Sequence, residues 1–321
     1  MRIHGKTVHR GQLLVITALV IAVIFVGLAL VVNSAIYTEN LSTRSDSNSE
    51  DALSATSTTF GTIATHLERV NTRYNTSYDE LTQNYTHLTS DFQQAQSNTY
   101  AKRGAVFEMT ALNQTNGTHL RQSNQSRAFT NASGQPSDWQ AAESVGGISD
   151  YTMVVNRDSL YTDSGGSGLL SNSSTVFLTD DDGDTWELHI YETTAGDVAV
   201  QSVVDGTEKA ACEADAAEVE IDLVAETVGG VPCSTLVFAE GLEESIDIEY
   251  HNPDEIAGTY SLRVDVVIDP ATSDHYVERG VGSPTATPNI YATTTRMTYA
   301  TSDVSYIATK RMVAGEPAYT E

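Results

Sequence analysis

The residues of this sequence that could do chemistry are few, and the first candidates are a run of aspartates. Asp180, Asp182 and Asp184 lie within a five-residue stretch that reads DDDGD. Carboxylates clustered on a turn can hold Ca²⁺, but an EF-hand loop needs glycine at its sixth position, where this chain has Thr185. We therefore interpret the run as the acidic tip of a β-hairpin and keep a weak calcium site as the alternative.

Motifs of known enzyme classes are absent from the sequence. There is no H-E-x-x-H, no G-x-S-x-G, no Walker-type loop and no C-x-x-C, so the usual hydrolases, nucleotide-binding enzymes and redox enzymes have no support. The eight histidines are scattered without the spacing of metal ligands. We expect a protein that is not an enzyme and that needs no cofactor, with a surface hydrolase as the remotest alternative.

The two cysteines, Cys212 and Cys233, have a plainer role. Both lie in the part of the chain that we expect outside the cell, where paired thiols usually form a disulfide. Two cysteines without a neighbouring histidine cannot complete a four-ligand zinc site. We predict a disulfide between them, with two free buried thiols as the alternative.

The charge of the chain excludes several kinds of partner. The 43 acidic residues far outnumber the 17 Lys and Arg residues, and the formal net charge is −26. Nucleic acid, whose phosphates would be repelled, is not an expected partner. A surface this acidic and this poor in lysine resembles that of proteins from extreme halophiles, in which high salt screens the self-repulsion. An acidic extracellular domain from an ordinary organism is the alternative.

An uncharged apolar stretch near the N-terminus is the element on which the rest of the sequence depends. Leu13–Val32 is twenty residues long, about the length of a helix that crosses a bilayer. Arg2, Lys6 and Arg10 precede it, and acidic residues follow it. The positive-inside rule then predicts a cytoplasmic leader at 1–12, a transmembrane helix at 13–32 that contacts lipid, and an extracellular C-terminal domain. The expected location is therefore the cell membrane, with a single span.

The residues just before this stretch carry a resemblance to a known family. Arg10, Gly11 and Gln12 stand where the class III signal of archaeal type IV pilin-like proteins is cut, and residues 8–44 resemble the N-terminus of uncharacterised haloarchaeal surface proteins of that kind. The resemblance implies cleavage after Gly11 and a mature chain that begins at Gln12. Many pilins carry an acid five residues into the mature chain, whereas this chain has Ile16. Other pilin-like subunits, or copies of this chain meeting through helical regions, are the implied partners.

A second helical region follows at 45–112. From Phe60 to Phe92 the apolar and aromatic residues recur at spacings of three and four, which predicts one long amphipathic helix or a helical hairpin. A break is expected near 71–77 or 97–100. A stripe this narrow must pack on another surface. The alternatives are a hairpin packed on the β domain of the same chain and a coiled-coil stalk between subunits.

Residues 113–150 are rich in Asn, Ser, Thr and Gly, which predicts a linker. Glycosylation acceptors of the form N-x-[ST] crowd into the first part of the chain, which fits a glycosylated stalk. The candidate residues are Asn40, Asn75, Asn84, Asn113, Asn116, Asn124, Asn131 and Asn172.

From about residue 151 the apolar period changes to two, which indicates antiparallel strands with one wet face. Alternation is clear in WELHI at 186–190 and in VEIDL at 219–223. We predict a β-sandwich at 151–321. Its expected strands cover 151–155, 175–179, 185–192, 197–204, 218–224, 235–238, 245–250, 259–268, 290–300 and 303–310.

Together these features predict an α+β protein: an N-terminal transmembrane helix, a long amphipathic helix or helical hairpin, and a C-terminal antiparallel β-sandwich. The expected function is that of a non-enzymatic cell-surface structural protein, a pilin-like or accessory subunit of a type IV pilus-like system. The alternative is a membrane-tethered extracellular binding module for a glycan or another surface ligand.

Overall fold

The computed structural model describes residues 9–163, 168–243 and 245–316, and in the first helix it describes the side chains of 21–33 and from 49 onward. Two long helices open the chain, α1 (His9–Arg73) and α2 (Tyr78–Ala101). The hydroxyl of Ser77 accepts a hydrogen bond from the backbone N–H of Glu80 and caps α2. Asp79 and Glu80 lie in the first turn of α2, where the helix dipole favours negative charge.

After α2 the regular structure of the described residues consists of β-strands, apart from one short helix, α3 (Leu169–Asn172), and two single 3₁₀ turns. Within the described residues the strands are β1 (Val106–Gln122), β2 (Trp139–Val145), β3 (Ile148–Asn156), β4 (Ser174–Asp180), β5 (Thr185–Glu192), β6 (Val198–Val204), β7 (Thr207–Glu208), β8 (Cys212–Ala214), β9 (Glu218–Asp222), β10 (Thr227–Val228), β11 (Val231–Pro232), β12 (Ile246–His251), β13 (Gly258–Val264), β14 (Thr285–Ala300) and β15 (Ser305–Val313).

The strands form two antiparallel sheets. The larger sheet has the order β11-β10-β9-β3-β13-β1-β14-β15, and the smaller has the order β2-β12-β4-β5-β6-β7, with β8 also paired to β6. The pairing of β1 with β14 spans almost the full length of both strands and contains two register shifts. Such shifts bend a strand and increase its twist.

The two sheets pack face to face around the main hydrophobic core. Tyr151, Leu262 and Val264 of the larger sheet meet Trp186 and Tyr250 of the smaller sheet, and all five side chains are buried. The alternation seen in the sequence places these side chains inward because successive residues of a strand point to opposite faces.

The helices cover the outer face of the larger sheet. Ile63 and Leu67 of α1 and Leu81 of α2 form a second core with Met297 and Tyr299 of β14. The apolar stripe of the two helices therefore packs within the same chain, and the alternative of an intermolecular coiled coil is not needed to bury it. The helical region is a pair, interrupted between Arg73 and Tyr78, inside one of the two intervals expected from the sequence.

The predicted α+β class is wrong, because in the described residues the protein is mostly β, with two antiparallel sheets. The helical region ends at Ala101, and the residues assigned to its end and to the linker form β1, β2 and part of β3. β1 is rich in polar Asn, Gln and Thr residues, so it lacks the regular alternation of apolar residues that predicts a strand. Its backbone is nevertheless paired with β14 along almost its whole length, and with β13 from Thr118 to Gln122.

The predicted transmembrane helix is also wrong. Leu13–Val32 is the N-terminal part of α1, which continues without a break to Arg73. Within the part of the chain that the structure describes, none of the helices has the combined length and apolar character needed to cross a bilayer. Leu13–Val32 is therefore not retained as a lipid-contacting anchor, and residues 1–8 of the predicted leader lie outside the described part.

The strand predicted at 235–238 does not form. Residues 235–238 form turns in place of a strand. Thr235 donates its hydroxyl hydrogen to the carbonyl oxygen of Ala210, and the carbonyl oxygen of Val237 accepts the indole N–H of Trp186. Within this loop Leu236 is buried in the inter-sheet core and Phe238 packs against that core, whereas Val237 is exposed.

Candidate functional site

A cavity of about 560 Å³ lies between the C-terminal end of α1 and the outer face of the larger sheet. Its walls come from α1, from β1, β13 and β14, and from the loop around Arg279. The lining is polar and cationic, and it contains no aspartate or glutamate. It consists of Asn71, Thr72, Asn75, His119, Arg121, Ser123, Arg263, Arg279, Gly280, Val281, Gly282, Thr285, Thr287 and Asn289.

Strand alternation places the cationic side chains on this face. His119 and Arg121 alternate with Leu120 and Gln122, which are fully buried. Arg263 likewise lies between Leu262 and Val264, which belong to the inter-sheet core. Because neighbouring residues of a strand point to opposite faces, these three side chains point away from that core and toward the helices.

Arg263 is held in place by carboxylates. Its Nη1 and Nη2 donate to the two carboxylate oxygens of Glu68 at 2.6 and 3.0 Å, and its Nε lies 3.4 Å from a carboxylate oxygen of Asp150. Glu68 also accepts the backbone N–H of Gly315 at 2.7 Å. A planar guanidinium suits this two-pronged contact. Arg263 therefore ties α1 to the sheet, and its charge is largely compensated.

Arg121 and Arg279 supply the uncompensated charge. Among the described residues, no carboxylate lies within 4.0 Å of either guanidinium. Arg279 donates from Nη1 to Oδ1 of Asn75 at 2.9 Å, which positions it at the rim. Both arginine residues are exposed. The cavity is consequently a positive region on an otherwise strongly acidic molecule.

His119 adds no charge at neutral pH. Burial, together with the nearby positive charges of Arg263 and Arg121, lowers the pKa of its imidazole to about 4. Its Nε2 lies 2.8 Å from the hydroxyl oxygen of Ser261. The neutral imidazole of His119 therefore forms a polar part of the cavity wall and hydrogen-bonds with the hydroxyl of Ser261.

Two asparagines on the cavity wall differ in how they are satisfied. Asn71 of α1 donates from Nδ2 to the carbonyl oxygen of Ile290 and accepts the N–H of the same residue at Oδ1, at 2.9 and 2.8 Å. Asn289, the preceding residue of β14, is 1% exposed, and its Nδ2 has no hydrogen-bond acceptor within the part of the chain that the structure describes. One amide therefore fixes the helix to the strand, and the other leaves a buried donor unused.

The predicted disulfide is present. The sulfur atoms of Cys212 and Cys233 are 2.03 Å apart, and their Cα atoms are 6.0 Å apart. Cys212 lies in β8 beside the smaller sheet, and Cys233 follows β11 at the edge of the larger sheet. The bond therefore joins the two sheets and also closes the intervening loop.

The aspartate run forms a turn organised by one carboxylate. Oδ1 of Asp180 accepts the backbone N–H groups of Asp182, Gly183 and Asp184, and Oδ2 accepts that of Glu243. These hydrogen bonds lower the pKa of Asp180. Within the described residues no cluster of three or more His, Cys, Asp or Glu side chains could hold a metal ion. The carboxylate of Asp180 thus serves as a backbone acceptor.

The predicted glycosylation acceptors differ in their surroundings. Asn131 is buried and accepts hydrogen bonds from the backbone N–H and the hydroxyl of Ser133. Exposed positions are Asn113, Asn124 and Asn172, half-buried positions are Asn75, Asn84 and Asn116, and the side chain of Asn40 lies outside the described ones. Glycosylation stays a prediction. The same holds for processing at Arg10, Gly11 and Gln12, whose side chains are also outside the described set.

Reasoning from sequence missed the cavity. Its arginines are far apart in the chain and follow no motif, and only the register of β1 with β13 and β14 brings Arg121, Arg263 and Asn289 to one face. The one signal in the sequence was that Arg121 and Arg263 each follow an apolar residue, Leu120 and Leu262, that could lie on the buried face of a strand.

Comparison with known proteins gives a match to a protein family over the first part of the chain. Residues 7–142 match a protein family described as a family of unknown function, DUF7261. The matched segment covers α1, α2 and β1 and ends within β2, so it includes the helical layer and the strand that passes beneath it. No curated protein matches the chain.

Proposed function

We propose that this protein is a non-enzymatic structural subunit of a pilin-like assembly at the cell surface. The observation that carries the proposal is the shape of α1. One continuous helix of 65 residues packs its later part on the β domain, while residues 21–33 are exposed throughout. The N-terminal resemblance described above, which covers residues 8–44 and so includes this part of α1, implies the same assignment.

The exposed part of α1 needs a partner. Its large apolar side chains, from Ile21 to Val32, are 47–69% exposed. Apolar surface left in water costs about 25 cal/mol for each Å², and contiguous exposed apolar surface usually marks an interaction site. Because the apolar side chains surround the helix, one flat contact cannot cover them. Several copies of the same helix, packed side by side, can do so.

Small residues in this segment fit that arrangement. Ala22, Gly27 and Ala29 carry little or no side chain, and a Cβ built on Gly27 would meet no atom within 4 Å. Such residues allow helices to approach closely. The acidic β domains would repel each other in such an assembly, and high salt would weaken this repulsion.

The test is to compare the self-association of the full chain with that of two matched variants in concentrated KCl. Val26 is 61% exposed in the projecting part of α1, and Leu53 is 60% exposed in the later part. Val26→Asp should weaken association by at least about tenfold, because a buried carboxylate has no partner there. Leu53→Asp should associate as the unmodified chain does.

Sedimentation velocity and negative-stain electron microscopy would measure the association. Oligomers or filaments that are lost only in the Val26→Asp variant would support the proposal. A chain that stays monomeric at all salt concentrations, or oligomers that are equally stable in both variants, would contradict it.

A further inference from the structure

The charge of the cavity lining runs against that of the whole chain. The protein carries 43 acidic and 17 basic residues other than histidine. The cavity, however, is lined by three arginines and, among the described residues, by no acidic one. A surface drawn at random from this composition would be acidic. We infer that the cavity binds a small organic molecule that carries a sulfate, phosphate or carboxylate group.

Two of the arginines are available to such a ligand. Arg263 already contacts Glu68 through both terminal nitrogens, whereas Arg121 and Arg279 have no carboxylate within 4.0 Å among the described residues. A guanidinium presents several N–H donors in a plane and binds oxyanions through two parallel hydrogen bonds. Arg121 stands on a strand that is paired on both sides, which holds its backbone rigidly in the sheet.

A buried donor provides an independent indication. Asn289 lines the cavity and is 1% exposed, and no described residue provides an acceptor for its Nδ2. Buried polar groups in folded proteins almost always have a hydrogen-bond partner, so an unpaired donor calls for an explanation. An acceptor oxygen brought by a ligand would supply the missing partner.

The size of the cavity favours a molecule larger than an inorganic ion. Small-molecule sites commonly enclose about 300–1,000 Å³, and this cavity encloses about 560 Å³. Thr72, Ser123, Thr285 and Thr287 also line it. The hydroxyls of Thr72, Thr285 and Thr287 donate to backbone carbonyl oxygens and can still accept hydrogen bonds. These groups suit a ligand with hydroxyls of its own, such as a sugar that carries an acidic substituent. Among the described residues no Phe, Tyr or Trp side chain lines the cavity, so recognition rests mainly on hydrogen bonds and charge.

The inference is independent of the proposed assembly, because the cavity uses none of the projecting residues 21–33. It gives chemical content to the alternative that this protein is an extracellular binding module. A failed binding experiment would leave the self-association of α1 unaffected, and the reverse also holds.

Isothermal titration calorimetry on the full chain tests the inference, with galactose 6-sulfate and inorganic sulfate as probes at one fixed KCl concentration. The variants Arg121→Gln and Arg279→Gln each remove one cavity charge. Arg296→Gln removes the same charge from an exposed position on β14 outside the cavity lining. We expect each cavity variant to bind the sugar sulfate about tenfold more weakly, while Arg296→Gln binds as the unmodified chain does.

Thermal melting of every variant would show that it is folded, and Arg121→Lys provides a milder change that keeps the charge but loses the planar fork. Affinity that falls in the cavity variants, with Arg121→Lys in between, supports the inference. Inorganic sulfate that binds as tightly as the sugar sulfate would contradict an organic ligand. Absence of binding by both probes, or an equal loss in Arg296→Gln, would overturn the site.

Discussion

The protein has two hydrophobic cores that solve the problem of burial differently. Between the sheets, aromatic side chains pack against one another: Trp139, Phe129 and Tyr260 each place a ring within 6 Å of Tyr250. The hydroxyl groups of Tyr250 and Tyr151 lie 2.9 Å apart and satisfy each other. These side chains are almost fully buried, so this core is held together mainly by contacts among aromatic rings.

The core beneath the helices depends on specific polar contacts at its edge. Asn71 bridges α1 to Ile290, Glu68 bridges it to Arg263, and the hydroxyl of Tyr85 in α2 contacts that of Thr293 at 3.0 Å. Each contact fixes one position of a helix over the sheet. The helical layer is therefore attached to the sheet by a few specific polar contacts, and the cationic cavity lies beside them.

The largest expected effect belongs to the inter-sheet core. Trp186 is fully buried, and its indole N–H donates to the carbonyl oxygen of Val237 at 2.9 Å. Trp186→Ala should lower the free energy of unfolding by about 4 kcal/mol, since it opens a large cavity and orphans an acceptor. Chemical denaturation would measure it. Leu112→Ala, at an exposed position of β1, should change the value by less than about 0.5 kcal/mol.

A smaller and more local effect is expected beneath the helices. Leu67 is 1% exposed in the second core, and Leu67→Ala should cost about 3 kcal/mol. If the helical layer is the more loosely attached one, amide exchange should quicken in α1 and α2 and stay slow in β4, β5 and β6. Equal acceleration in all these elements would mean that the two cores unfold as one. Leu53→Ala, exposed on the same helix, serves as the control.

The third expected effect is a pH dependence that arises at the cavity. The pKa of His119 is about 4 in the folded protein against an ordinary value of 6.5. Between these values the unfolded chain binds a proton that the folded chain does not, so stability should fall as the pH is lowered from 6.5 to 4. This contribution is at most about 3 kcal/mol.

Denaturation curves at several pH values would measure the contribution of His119. Carboxylates also titrate in this range, so the comparison that matters is between variants. His119→Gln should lose part of the pH dependence, whereas His87→Gln, at a side chain that is 75% exposed, should retain it. Identical pH profiles for both variants would show that His119 stays accessible to protons when the protein is folded.

Much of the local structure could be predicted from the sequence. The alternation at 185–192 and 218–222 matches β5 and β9, and the stripe from Phe60 to Leu81 corresponds to buried faces of α1 and α2. These segments bury one face, so their burial is written into the residue types at a fixed period. Strand β1 could not be predicted in this way, because its many Asn, Gln and Thr residues give no clear alternation of apolar and polar positions. Its place in the sheet depends on backbone hydrogen bonds to β13 and β14.

The sequence by itself determined the strand periods, the amphipathic helices, the acidic surface and the availability of two cysteines for a bond. Tertiary structure alone decided that the apolar stretch at 13–32 continues into a single long helix, and that the helical stripe packs on its own sheet. It also decided that Arg121, Arg263, Arg279 and Asn289 share one cavity. The physical reason is that period and composition record which face of an element avoids water, whereas strand register and helix docking determine which distant residues meet.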